Sequence, residues 1–266
     1  MSLSTTRTLV LIPVAIALNI VLGSTVQQVL KLPVYMDSLG TIVTGVLAGP
    51  LAGLVTGALT DLVWAYVLPS PLAAPTAGPF AITAAVIGLM AGLWGWLGFF
   101  RSRRSVEPGA LAGAIGVALA VALVVTYTFT RAYSSPAALG LSEGVFLIVI
   151  AVFVALAAWA LFARRDSGAV LALAAGLVTG LVAAVVSAPI AAYVFGGVTG
   201  FGGDAVIAAF RAAGDSLYQA TLKQGLLSDP LDKMIEFLLA FLIIAALPRR
   251  VVARFPNGER VLEPLA

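Results

Sequence analysis

The 266-residue chain contains no cysteine and no histidine. Without thiols there is no disulfide and no thiolate nucleophile. Without imidazole, general acid–base chemistry near neutrality and most transition-metal sites lose their usual side chain. Charge is scarce too: fifteen Lys and Arg and twelve Asp and Glu make up 10% of the residues, where a soluble domain carries about 25%. So few charges cannot wet the surface of a chain this long, which excludes a freely soluble protein. A net charge of +3 offers no electrostatic footprint for nucleic acid. There is no phosphate-binding Walker loop, so the chain does not itself hydrolyse nucleotide in that manner. No acidic pair adjoins a nucleophile, and no arginine-rich voltage sensor or selectivity-filter motif occurs. Nothing in the residues points to an enzyme, a resident cofactor or a metal.

What is present is apolar. Hydrophobic residues reach 61% and fall in blocks of about 20, the length that crosses a hydrocarbon layer of roughly 30 Å. The fold expected is an all-α, polytopic bundle forming one integral membrane domain over residues 1–266. Apolar runs at 8–23 (through Pro13), 36–49, 51–68, 79–100, 109–130, 145–163, 168–195 and 230–247 predict eight spans. The basic clusters Arg101/Arg103/Arg104, Arg164/Arg165 and Arg249/Arg250/Arg254 are separated by two spans each and so share a face. The positive-inside rule makes that face cytoplasmic. Arg7 joins it if 36–49 crosses, which puts both termini inside. Fourteen residues of helix reach only about 21 Å, so 36–49 is either a short crossing or a re-entrant segment. Residues 203–225 read as one amphipathic helix, external or interfacial.

Glycine recurs every fourth residue at Gly45, Gly49, Gly53 and Gly57, and the spacing is echoed at Gly88/Gly92 and Gly176/Gly180. Small residues let helices approach closely in lipid, where no hydrophobic drive holds them together. The pentapeptide Gly53-Leu-Val-Thr-Gly57 reappears as Gly176-Leu-Val-Thr-Gly180, a faint parallel repeat.

Ionisable groups at membrane depth are costly and face a cavity, a partner or a pathway. Asp61 lies eleven residues past the Gly49-Pro50 turn, about 16 Å along a helix and near the midplane. It has no cap to serve and no basic neighbour in sequence; Arg131 and Arg211 are the candidate charge partners. Asn19, Asp37, Thr41, Trp64, Tyr66, Tyr193 and Glu236 fall on the same outer half. Asp229-Pro230-Leu-Asp232 reads as an N-cap, a proline in the first helical position and an acid in the first turn. Asp37 either begins a helix or faces a ligand, and Glu236 is either a ligand group or neutralised by Lys233. Trp64 and Tyr66 are candidates to stack on a heterocycle or to belong to the interfacial belt. Irregular, Pro- and Gly-rich loops at 68–78 and 195–228 complete an outward-opening polar cavity suited to a small external molecule.

Leu32-Pro-Val-Tyr-Met-Asp-Ser-Leu-Gly-Thr-Ile, followed by Val46-Leu-Ala-Gly-Pro-Leu-Ala-Gly-Leu-Val-Thr-Gly-Ala-Leu-Thr-Asp61, resembles the substrate-binding S component of an energy-coupling factor (ECF) transporter. The likeness covers about residues 9–97, and more loosely the last span with its Pro-Arg-Arg ending. It implies a subunit of the cell membrane that binds a vitamin or similar micronutrient outside. Its implied partners are a membrane coupling subunit and two ABC-type ATPases. It implies a substrate site drawn from Asn19, Asp37, Thr41, Asp61, Trp64, Tyr66, Tyr193, Asp232 and Glu236, and a partner surface at Ala15, Gly45, Gly49, Gly53 and Gly57. The family typically has six helices, which makes 109–163 an inserted hairpin. Its first-helix small-xxx-small motif appears here only as Ala15-xxx-Asn19. The N-terminal histidine of its cobalt and nickel members is absent. Two other readings stay open: a secondary transporter in which Asp61 or Glu236 carries a proton or sodium ion, and a sensory or assembly subunit that transports nothing.

Overall fold

A computed structural model describes residues 6–30, 32, 34–102, 155, 159 and 166–262. The expected spans 109–130 and 145–163 lie outside the described residues, as do Arg103, Arg104, Arg131, Arg164 and Arg165. The described residues are helical, with no strand. Helix α1 (Thr6–Gly23) continues as a π-helical turn, Ser24–Val29. A buried, irregular stretch then leads into α2 (Leu39–Ala48) and α3 (Pro50–Tyr66). A 3-10 segment (Pro75–Phe80) opens α4 (Ala81–Trp96). Beyond the undescribed residues come α5 (Ser167–Pro189), extended by a second π turn (Ile190–Val194), then α6 (Asp204–Ala212) and α7 (Leu217–Ala246). Short α8 (Arg249–Val252) and α9 (Gly258–Val261) close the described chain.

Three stretches are long and apolar enough to cross a bilayer: Thr6–Val29, Pro75–Trp96 and Gly168–Val194. They mark the chain as a membrane protein. Their outward faces agree, because Leu9, Val10, Val14 and Val21 on α1, Ile82 and Leu93 on α4, and Val185 on α5 stand exposed. Apolar side chains displayed along whole helix faces are at home in lipid rather than water. Pro13 does not end α1.

Two sequence boundaries are corrected. The second apolar segment is a helix of only ten residues, about 15 Å. Nine of the ten are buried, so it is enclosed by protein. The last helix does not start at Asp229. It starts after Ser216, whose hydroxyl accepts from the Gln219 amide while the Gln219 side chain accepts from the Ser216 amide. Pro230 therefore sits inside a 30-residue helix, where the backbone of Gly180 on α5 makes room for it. The amphipathic segment expected over 203–225 divides accordingly: Asp204–Ala212 is α6, and residues from Leu217 onward belong to α7.

Glycine sets the packing. A methyl group on Gly53 would collide with the Gly88 carbonyl, one on Gly88 with the Gly53 carbonyl, one on Gly57 with the Ala84 carbonyl, and one on Gly45 with Gly88. Backbone therefore lies on backbone between the α2–α3 hairpin and α4. Gly49 turns that hairpin at φ 104°, a conformation natural to glycine, with Pro50 opening α3. Ala15 on α1 lies against Gly40 in the same way. Ala15, Gly45, Gly49, Gly53 and Gly57, expected on a partner surface, are all buried within this chain. The repeated pentapeptide does the same work on the other side, since Gly176 and Gly180 abut the α7 backbone at Lys233 and Asp229.

The helices alternate in direction, which gathers one set of ends together. Arg7 donates to the Arg254 carbonyl (3.3 Å), Arg101 to the Arg260 carbonyl (2.5 Å), and the Asn257 amide to the Leu47 carbonyl (2.9 Å). The start of α1 and the ends of α2, α4 and α7 thus share a basic end. The linker between α1 and α2, the 3-10 segment and the end of α5 lie at the other.

Candidate functional site

Two polar assemblies occupy the interior away from the basic end. The first is a closed knot centred on Lys233, of which only 2% is exposed. Its ammonium donates to Glu236 Oε2 (2.6 Å) and Ser38 Oγ (3.0 Å) and forms an ion pair with Asp232 Oδ2 at 2.7 Å. Asp37 Oδ1 stands 3.7 Å away. The remaining oxygens of the two α7 carboxylates hold backbone from the linker: Asp232 Oδ1 accepts from the Tyr35 and Met36 amides (3.0 and 2.9 Å), and Glu236 Oε1 from the Ser38 amide (2.6 Å).

The physical need is clear. Leu30, Leu32 and residues 34–38 are not regular helix, yet Leu32, Val34 and Ser38 are buried. Irregular backbone at membrane depth persists only where protein satisfies its amides. Met36 also adopts φ 54°, which costs an L-residue about 1–2 kcal/mol. Hydrogen bonds to a charged group contribute roughly 1.5–3 kcal/mol each, so the two on Asp232 outweigh that strain. Asp232 and Glu236, expected on the substrate, are therefore engaged in holding the linker. Asn19 and Thr41 belong to a second tie. Asn19 donates to Thr41 and Thr60 (2.8 and 3.0 Å) and accepts from the Gly40 amide (2.6 Å), joining α1, α2 and α3.

The second assembly is a cavity of about 90 Å³. A single water needs roughly 10–15 Å³ on that measure, so the space suits a small organic molecule. Asp61 and Trp64 line it from α3, Asp37 and Tyr35 from the linker, and Phe80 and Thr83 from the α4 entry. Ser187 on α5 and Thr221, Gln224, Asp229 and Lys233 on α7 form the opposite side of the lining. Thr199, Phe201 and Asp204 contribute from the loop after α5. That loop is internally tied: Asp204 accepts from the Thr199 amide and hydroxyl and the Gly200 amide (3.0, 2.7 and 2.7 Å).

Of the residues singled out from sequence, Asp37, Asp61 and Trp64 meet at this cavity. Trp64 is fully buried, its indole N–H donating to the Leu72 carbonyl (3.1 Å). Asp37 is held by Gln27 (2.8 Å) and Ser38 (3.0 Å) and precedes α2 rather than opening it. Tyr66 and Tyr193 are not in the lining; both are exposed, and Tyr193 stacks on Tyr218 at 6.2 Å. Arg211 is no partner for Asp61 either, since it donates to the Asp215 carbonyl (2.8 Å). Sequence reasoning missed Gln27, Tyr35, Thr83, Ser187 and Gln224, and it read Asp229 as a cap. A lone lysine within the last apolar run was the available signal for Lys233.

Asp61 stands apart. It is 6% exposed, yet no side chain or amide among the described residues hydrogen-bonds its carboxyl. Thr83 Oγ1 is likewise unpaired. Among the described residues no three acidic side chains converge as a metal cage would require. Compared with protein-family models, curated proteins and solved structures, the chain matches none.

Proposed function

We propose that this chain is a substrate-binding S component of an ECF-type transporter. It captures a vitamin or related small micronutrient from outside the cell, in the cell membrane, as a multi-pass subunit of eight helical segments with both termini cytoplasmic. A coupling subunit and two ABC-type ATPases supply the energy. The observation that carries this reading is the cavity at the end of the bundle opposite the arginines, with the buried Asp61 and Trp64 from the motif region in its lining. The basic end, where Arg7, Arg101 and Arg254 gather, faces the cytoplasm. The absence of a Walker loop fits a subunit that binds while others hydrolyse.

Affinity purification of the full chain from its native membrane is the direct test. Co-purification of a coupling subunit with two ATPases, and uptake that needs ATP, is the result expected. Uptake driven by an ion gradient, with the purified chain alone in sealed vesicles, would overturn it. That outcome would favour the second reading, an ion-coupled carrier, for which the unpaired Asp61 carboxyl is the supporting observation.

A further inference from the structure

The cavity offers a ligand acceptors and almost no positive charge. Among the described residues Lys233 is the only cation in the lining, and it is already paired with Asp232 and Glu236 and donates to Ser38. Two carboxyls are unspent. Asp61 has no hydrogen-bond partner among the described residues. The carboxyl of Asp229, a residue 4% exposed, has among the described residues only the Ser187 hydroxyl as a hydrogen-bond partner, at 3.5 Å, too long to count for much. Asp37 and Asp204, by contrast, are occupied by Gln27, Ser38, Thr199 and Gly200. Buried acids without counter-charge are expensive to keep, and these two line the same cavity.

We propose that the ligand is a small organic cation, an aromatic or heterocyclic amine, whose positive group is held by Asp61 and Asp229. The inference rests on reading the cavity as the capture site and names the class of molecule it takes. Chemistry selects against the other classes. An anion would meet a Lys233 whose charge is already answered by Asp232 and Glu236. A divalent metal needs several converging acids, and no such group exists among the described residues. A planar organic cation is served twice, by carboxylates for its charge and by the Trp64 and Phe80 rings for its body, since aromatic rings also attract cations. The unpaired Thr83 hydroxyl supplies a further contact.

The test uses the full chain purified in detergent and two probe sets matched in shape. The first is benzylamine, benzyl alcohol and benzoate; the second is tryptamine, indole-3-ethanol and indole-3-acetate. Binding is read by titration calorimetry and by thermal stabilisation. The amine of at least one set is expected to bind, with its alcohol and carboxylate roughly tenfold or more weaker. Asp61→Asn should weaken amine binding roughly ten- to a hundredfold, the scale of one lost charge-assisted hydrogen bond. Should that variant fail to elute as a single folded species, Asp229→Asn carries the same expectation. Neutral or anionic members that bind as tightly as the amines, as they would if the acids carried their own protons, overturn the proposal, and so does failure of both amines to bind at millimolar concentration. Amine binding without co-purified ATPases sinks the transporter assignment and upholds this one; co-purified ATPases with binding indifferent to charge does the reverse.

Discussion

Helix α7 presents acids to two regions that treat them differently. Asp232 and Glu236 are wholly buried, yet every oxygen they own meets Lys233 or a linker amide. Asp229, less than one turn earlier, faces the cavity with its carboxyl nearly unused, as Asp61 does from α3. Residue type and depth are the same. What separates the regions is whether hydrogen-bonding capacity has been spent, and that decides which group holds the fold and which is available to a ligand.

The largest way to break this contrast is Lys233→Met. It strands Asp232 and Glu236 without a counter-ion, and loss of one partner from a buried pair costs about 3–5 kcal/mol. The expected outcome is poor accumulation, or a drop in melting temperature larger than that of any other variant considered. Next comes Asn19→Leu, which removes three hydrogen bonds and leaves the Gly40 amide unpaired, at a cost of roughly 1–3 kcal/mol; thermal unfolding in detergent reads it. Asp61→Asn should act with the opposite sign. Replacing an unpaired buried acid with a neutral isostere leaves the ligand-free protein as stable as before or more so, by up to about 1 kcal/mol. A melting temperature several degrees lower would mean that Asp61 belongs with the knot. Tyr193→Ala is the smallest: exposed and outside the lining, it should alter stability by about 0.5 kcal/mol or less and ligand affinity not at all.

Local patterns were readable from sequence; distant pairings were not. The Gly49-Pro50 turn and the four-residue glycine spacing are local, and both appear where the residues put them, although the glycines face α4 rather than another subunit. Asp61 and Trp64 were found because a polar group in an apolar run has few explanations. Asp229-Pro230-Leu-Asp232 misled because its local grammar is that of a helix start, while the actual start is set thirteen residues earlier by Ser216 and Gln219. Room for Pro230 comes from Gly180, which no local window contains. The same holds for Asp232 and Glu236: their partners are amides some 196–198 residues away in the chain.

The glycine seams carry a mechanical consequence. Where backbone rests on backbone, helices cannot slide without collision, so α2, α3 and α4 behave as one plate. α5 and α7, joined through Gly176, Gly180 and Gly225, behave as a second. The cavity is the gap between the plates, lined also by Tyr35, Asp37 and Ser38 from the linker and by Thr199, Phe201 and Gly203 from the loop after α5. The linker hangs by its amides from Asp232 and Glu236, so it travels with the second plate. The loop at 195–203, in which Gly196, Gly197 and Gly200 take positive φ, fastens to both sides of that gap: Phe195 stacks on Phe80 at 5.6 Å, and Gly203 abuts Gln224.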